Sequence, residues 1–208
     1  MKKSGFTLVE MLVVIGIIAV LSAAGMVGYS RIIKSARKAK TVELVANAAT
    51  ALAHILNKEG AWPEELIENG GRGQLDKNVA KVFIRYNLMG VSYNQKTGSE
   101  GDYLLTGKDR CGIVDGEAEA ILKRNKNANE NTKVPSGKSV KEHILYYAID
   151  TEGTGITTIT MKDSGKQLNI RATAVVYAAG PNGIEEYDAY GRNDDVYSWR
   201  PNQVISGN

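Results

Sequence analysis

Apolar and polar positions are spread very unevenly along this chain. From Met11 to Ser30 there is no Asp, Glu, Lys or Arg. A helix over that run rises about 30 Å at ~1.5 Å per residue, which is the thickness of a bilayer's hydrocarbon core. Beyond it, Ile32, Ala36, Ala39, Val42, Val45, Ala49, Leu52 and Leu56 recur at spacings of three and four. That periodicity predicts an amphipathic continuation with one apolar seam, off which Lys34, Lys38, Lys40, Glu43 and Asn47 lie. Gly60 and the Trp62-Pro63 pair end it. The pattern therefore predicts one helix from Phe6 to about Glu59, about 80 Å long. Its first half is apolar all round and its second half is one-sided.

The middle of the chain is less periodic. Glu64–Glu68, Asp76–Leu88 and Glu117–Arg124 read as short helices, and Lys123–Lys138 as a polar, exposed loop. From His143 the pattern changes. His143–Ile149, Ile156–Met161 and Leu168–Ala178 are rich in Ile, Thr, Val and Tyr. Gly153, Gly155 and Asp163-Ser164-Gly165 separate them as hairpin turns. Three consecutive strands predict an antiparallel meander whose apolar face covers the helix seam, giving an α+β head.

Composition narrows the classes. The chain has 208 residues, 26 Lys+Arg against 23 Asp+Glu, and a net charge of +3. With 43% hydrophobic and 24% charged residues it has a globular balance. A mean hydropathy of −0.24 excludes a multi-span membrane protein. The lone Cys111 excludes an intrachain disulfide. Two His and one Cys leave little for a transition-metal site or a Cys/His pair, and His54 has no partner in helical register. The basic excess is small and dispersed, so no nucleic-acid partner is expected. Ser136-Gly137-Lys138-Ser139 contains a GKS triplet, but Thr132 stands where a phosphate loop needs Gly and no apolar strand precedes it. No G-x-S-x-G elbow occurs. The chain is read as non-enzymatic.

Lys2, Lys3, an apolar core and Ser22-Ala23-Ala24 also fit a conventional secretory signal. These features alone leave open an anchor or a signal cut near Ala24, the latter implying a secreted binding protein or hydrolase. Glu10 fits neither generic segment. A carboxylate at the edge of a bilayer is costly without a partner and is a functional candidate, unless it sits solvated at headgroup depth.

Gly5-Phe6-Thr7-Leu8-Val9-Glu10, followed at once by the apolar run, resembles the processing site of type IV prepilins and pseudopilins. The resemblance implies cleavage by a prepilin peptidase between Gly5 and Phe6, and methylation of the new N-terminal Phe6. It also implies a role for Glu10, the fifth mature residue, in filament assembly. Cleavage creates an α-amino cation at Phe6, and Glu10 supplies the opposite charge in a low-dielectric setting. The implied layout is a leader over 1–5, a transmembrane helix over 6–30, and a periplasmic head over 31–208 that includes the amphipathic half-helix 31–59. The implied fold is pilin-like, with the long helix packed on a small antiparallel sheet. Arg31, Lys34, Arg37, Lys38 and Lys40 outnumber Lys2 and Lys3, so the charge count alone would put the C-terminal side in the cytoplasm. The resemblance implies the reverse orientation. Family members often carry a Pro just after the span. Here the first is Pro63, and Gly25 and Gly28 are expected to take the helix-loosening role.

The C-terminal stretch 180–199 is acidic. Glu185, Glu186, Asp188, Asp194 and Asp195, with Asn182 and Asn193, offer hard oxygens suited to Ca²⁺, although such a run also fits a solvated loop. Ala178-Ala179-Gly180-Pro181-Asn182-Gly183 and the later Asn193-Asp194-Asp195-Val196-Tyr197-Ser198-Trp199 are similar to the C-terminus of major pseudopilins of type II secretion. That resemblance implies a Ca²⁺ site at Asn182, Asp194 and Asp195, with Asp188 as a further candidate. Asn182 stands where the family has Asp, and 184–193 is longer than usual. Pilus subunits commonly close this region with a disulfide, which one Cys forbids, so a metal-closed loop favours the pseudopilin reading.

The expectation is a structural subunit, anchored by one pass in the inner membrane, that polymerises with itself into a periplasmic pseudopilus supporting type II secretion. Minor pseudopilins and the inner-membrane assembly platform are its expected partners. A type IV pilin or minor pilin for adhesion, motility or DNA uptake is the alternative. Loss of Lys2 and Lys3 with the leader takes the side-chain charge from +3 to +3 − 2 = +1.

Overall fold

The structure is a computed structural model that describes residues 7–95, 103–162, 165–187 and 193–207; of 24–28 and 206–207 only the backbone is described. The chain forms two units, Met1–Arg37 and Lys38–Asn208.

Helix α1 runs from Leu8 to Glu59, 52 residues, as the two-part apolar pattern predicts. Gly60 ends it at φ +71°, with its N–H bonded to the Leu56 carbonyl at 2.8 Å. In the first unit, the described side chains from Leu8 to Ala23 are exposed on every side. In the second unit, α1 buries Thr41, Leu44, Val45, Ala48, Ala51, Leu52 and Ile55. This stripe corrects the predicted seam. Val45 and Leu52 lie in it, while Ile32 and Val42 are exposed and Ala49 and Leu56 only half-buried. Spacing alone identifies a helical face, but the burial edge depends on what packs there, and Leu44, Ala48, Ala51 and Ile55 fit an equally good i, i+4, i+7, i+11 series.

Among the described residues three short α-helices follow: α2 (Glu64–Ile67), α3 (Lys77–Arg85) and α4 (Gly116–Arg124). Asp76 caps α3 by accepting from Asn78 and Val79 N–H, and Asp115 caps α4 through Glu117 and Ala118 N–H. The expected helix Asp76–Leu88 is therefore shorter, with Asp76 as its cap.

The strands are β1 (Arg72–Gln74), β2 (Tyr93–Gln95), β3 (Tyr103–Leu105), β4 (Tyr146–Ile149), β5 (Thr157–Thr160), β6 (Gln167–Ile170), β7 (Ala174–Ala178), β8 (Val196–Tyr197) and β9 (Val204–Gly207). They form three sheets, β1-β4-β7-β8, β2-β3 and β5-β6-β9, and every pairing is antiparallel. The α+β class holds, but the simple meander does not. The expected strand Leu168–Ala178 is two strands in different sheets, broken at 171–173. Thr157 Oγ1 donates to the Ala172 carbonyl at 2.6 Å and Asp150 N–H to the Thr173 carbonyl at 2.8 Å, so backbone groups at the break are satisfied without a continuous ladder.

Alternation along β4 and β7 explains the layers. Tyr147, Ile149, Val176 and Ala178 join the α1 stripe, Leu66, Leu75 and the α3 residues Val79, Val82 and Phe83 in one core. Ala148, Val175 and Tyr177 face the other way, onto Ile159, Met161, Leu168, Ile170 and Trp199. A third cluster joins Cys111, Val114, Ala118, Leu122, Ala128, Val134, Val140 and Ile144. It corrects the reading of Lys123–Lys138 as merely an exposed loop, since Ala128 and Val134 anchor that segment inward.

Candidate functional sites at the two ends

At the N-terminal end, α1 opens with a capping box. Thr7 N–H and Thr7 Oγ1 each donate to Glu10 Oε2 at 2.8 Å, and Glu10 N–H donates to Thr7 Oγ1 at 3.3 Å. Two otherwise orphaned helix donors are thereby satisfied reciprocally. The contact adds Thr7 to the residues of this end, and Thr7-Leu8-Val9-Glu10 carries its signal as a readable T-x-x-E spacing. Glu10 thus has a local partner before any cleavage frees an amine at Phe6. Gly5 and Phe6 lie outside the described residues. Leu8, Val9, Met11, Leu12, Ile15, Ile17, Ile18, Val20 and Leu21 are all exposed, a continuous apolar surface of the kind that lipid or other subunits cover. Among the described residues no helix is long and apolar enough to cross a membrane. The uncharged run Met11–Ser30 includes residues 24–28, of which only the backbone is described, and that backbone is continuous α-helix through Gly25 and Gly28, without the expected loosening in the single chain.

At the C-terminal end, two segments are drawn together, 180–186 and 193–197. Gly180 sits at φ +63°, and a Cβ there would lie 2.6 Å from the Asp194 carbonyl oxygen. Only Gly allows this approach. Asn182 N–H donates to Asp194 Oδ2 at 3.2 Å, and Asn182 Oδ1 accepts from Ile184 N–H at 2.8 Å. Asp195 Oδ2 accepts from Glu186 N–H at 2.7 Å and from the Tyr197 hydroxyl at 3.0 Å. The Glu186 carbonyl is the alternative acceptor for the single Tyr197 hydroxyl proton, and Asn193 Nδ2 donates to the same carbonyl. The fold thus sets Asn182 beside Asp194 and Asp195 beside Glu186, while Asp188 lies outside the described residues.

The electrostatics of this loop are unfavourable as it stands. Asp195 is 7% exposed, and burial pushes its carboxyl up to about 7, with Asp194 and Glu186 adding like-charge repulsion. Among the described residues, Asp195 Oδ1 and Asn193 Oδ1 are buried oxygens without a hydrogen-bond partner. Two orphaned oxygen acceptors in a crowded acidic loop fit a hard cation, which prefers such donors. Asn193 is the addition the structure makes to the candidate ligands. Among the described residues no group of three or more His, Cys, Asp or Glu converges on one metal position, so amide and backbone oxygens would have to complete a Ca²⁺ shell. Nearby, Glu185 Oε2 accepts from the Tyr177 hydroxyl at 3.1 Å, and burial raises that phenol well above its ordinary range.

A third cluster was not legible in sequence. Asp115 Oδ2 lies 2.7 Å from His143 Nδ1, and His143 Nε2 lies 3.4 Å from Ser136 Oγ. The order is that of a Ser-His-Asp relay. Its surroundings make it a clamp instead. Asp115 Oδ1 caps α4 through Glu117 and Ala118 N–H, at 3.0 and 2.9 Å. The imidazole is fully enclosed, and a Cβ at Gly183 would come within 3.3 Å of Nε2. The clamp links α4, the 136–143 segment and the start of the acidic loop.

No curated protein and no solved structure matches the chain. Residues 1–26 match the family model of the prokaryotic N-terminal methylation motif. The matched residues hold the leader, Gly5, Phe6, Thr7 and Glu10, together with most of the exposed apolar helix. With the helix-plus-sheet fold, that match supports a pilin-like chain that is processed by prepilin peptidase, anchored in a membrane and assembled into filaments.

Proposed function

We propose that the chain is a pseudopilin, a non-enzymatic subunit that polymerises into a periplasmic pseudopilus supporting type II secretion. The observation that carries the reading is a methylation motif over residues 1–26 leading directly into a helix whose apolar side chains from Leu8 to Leu21 have no cover within their own unit. An unpartnered helix of this kind is stable only in lipid or against copies of itself. Cleavage after Gly5 exposes a methylatable amine at Phe6, inner-membrane insertion follows with the head in the periplasm, and Glu10 exchanges its capping contact with Thr7 for a neighbouring subunit's amine. Minor pseudopilins and the assembly platform are the further partners.

The C-terminal loop supports the pseudopilin reading over a pilus subunit. The only cysteine, Cys111, is buried, so the loop is not closed by an intrachain disulfide. The orphaned Asp195 and Asn193 oxygens supply a reason for Ca²⁺ to close it. Ca²⁺ bound there would neutralise Asp194, Asp195 and Glu186 and hold 180–186 against 193–197.

Mass spectrometry of the mature N-terminus tests the reading. A methylated Phe6 start is expected; a start at Gly25 would establish a cleaved secretory signal instead. Long surface pili on cells that make the chain at its normal level would favour a type IV pilin and remove the secretion role.

A further inference from the structure

The end of α1 carries an acidic, aromatic cavity that the N-terminal motif and the acidic loop do not use. Its volume is about 580 Å³, and its walls include Glu59, Trp62, Glu64, Glu65, Glu68 and Arg85. Trp62 is fixed by its indole N–H, which donates to the Asp150 carbonyl at 2.8 Å. Arg85 is paired with Glu65, an ion pair that keeps the Glu65 carboxyl below its usual range. Lys58 lies 5.2 Å over the ring of Tyr86, another wall residue. That leaves Glu59, Glu64 and Glu68, all exposed and with no ion pair among the described residues.

The same chain presents the complementary charge. Arg31, Lys34 and Lys38 recur at spacings of three and four, so they share one face of α1. All three are exposed and without an ion pair among the described residues, and no acidic residue lies between 31 and 40. Three cations in a row on a helix face match three carboxylates around a cavity whose rigid indole can also stack a guanidinium.

We propose that this cavity is the docking site for the Arg31–Lys34–Lys38 face of α1 in a second copy of the chain. The donor and acceptor patches are different surfaces, so the contact is heterologous. Repeated, such a contact gives a ring where the rotation closes and an open filament where it does not, and the filament reading takes the open case. The inference deepens the filament reading above and rests on it for the second copy's availability. Rim charges of this kind set register and partner choice more than raw affinity, which suits a subunit that must add in one orientation.

The test uses the full-length chain in membranes. Glu64→Lys with Glu68→Lys should lower the assembled fraction at least about tenfold, as should Arg31→Glu with Lys34→Glu, while the four changes together restore it. In parallel, Glu64→Cys and Lys34→Cys placed on separate co-expressed chains should form a disulfide-linked heterodimer. Cys111 is buried and stays out of the reaction. Normal filaments from both reversed pairs and no cross-link would overturn the docking site and leave the filament reading standing. A cross-link without filaments would keep the contact and remove the filament. Loss in both single-side variants without recovery in the combined one, and no cross-link, would also overturn the pairing.

Discussion

Two parts of one helix obey different rules. Over Leu8–Ala23 the described α1 side chains are exposed and nearly all apolar, whereas over Thr41–Glu59 the same helix buries a narrow stripe and leaves its other faces polar. Backbone geometry is the same in both. The difference lies in where each part finds its apolar partner. The later part finds it within the chain, in Leu66, Phe83, Tyr147 and Val176. The earlier part carries its apolar residues without a partner in its own unit, as a segment designed for lipid or for other subunits must. Stability of the head and assembly of the filament are therefore separable properties of α1.

The largest expected effect breaks the comparison on the assembly side. Glu10→Ala should leave membrane insertion and head melting unchanged but impair filament formation strongly, since it would leave a neighbouring subunit's amine without its opposite charge. Filament yield against membrane-fraction yield measures this, and normal assembly would remove the role of Glu10. The converse is Leu52→Ala. Leu52 is fully buried, so truncation should cost the head about 2–5 kcal/mol, visible as a lowered melting temperature. Leu12→Ala, at an exposed position, should leave that melting unchanged.

A smaller effect is expected from Ca²⁺. Chelation should lower the melting temperature of the detergent-solubilised chain, by about 2.7 kcal/mol of stability where Ca²⁺ had stood at about 100 times its Kd. Asp195→Asn should abolish the Ca²⁺ shift while membrane insertion continues unchanged. An identical melting curve with and without Ca²⁺ would reject the site.

The smallest effect is on the pH profile of the head. Glu142 accepts from Ser139 N–H at 2.7 Å and Ser139 Oγ at 2.9 Å, and this lowers its carboxyl to about 2. A depressed carboxyl contributes stability that is present above its unfolded value near 4.5 and is lost as pH falls toward 2. The side chain is 40% exposed, so screening holds the contribution to a few tenths up to about 1 kcal/mol. Glu142→Gln should flatten that acid limb slightly, measured as melting temperature between pH 5 and 2, and should not touch filament assembly at neutral pH.

Much of this was readable from residue order. The length of α1, its Gly60 stop, the helices near 64, 77 and 117, and the strand-rich region after His143 all follow from periodicity and turn residues, because these are local effects. The capping box at Thr7 and Glu10 was equally local. The burial edge of α1 was not, because Leu44, Ala48 and Ile55 are inside only by virtue of residues far along the chain. The break at 171–173 was hidden for the same reason. Leu168–Ala178 reads as one strand, and only the competing bonds from Asp150 and Thr157 divide it between two sheets.

By itself the sequence determined that a charge-free helix follows a cleavable motif, that one carboxylate marks its start, and that no intrachain disulfide closes the acidic loop. These are properties of composition and short spacing. Only the tertiary structure decided which oxygens of that loop lack partners, that Asp115, His143 and Ser136 meet, and that Glu59, Glu64 and Glu68 surround one cavity. Each of those depends on residues separated in sequence being brought within a few ångströms, and burial, desolvation and charge coupling exist only once that approach has been made.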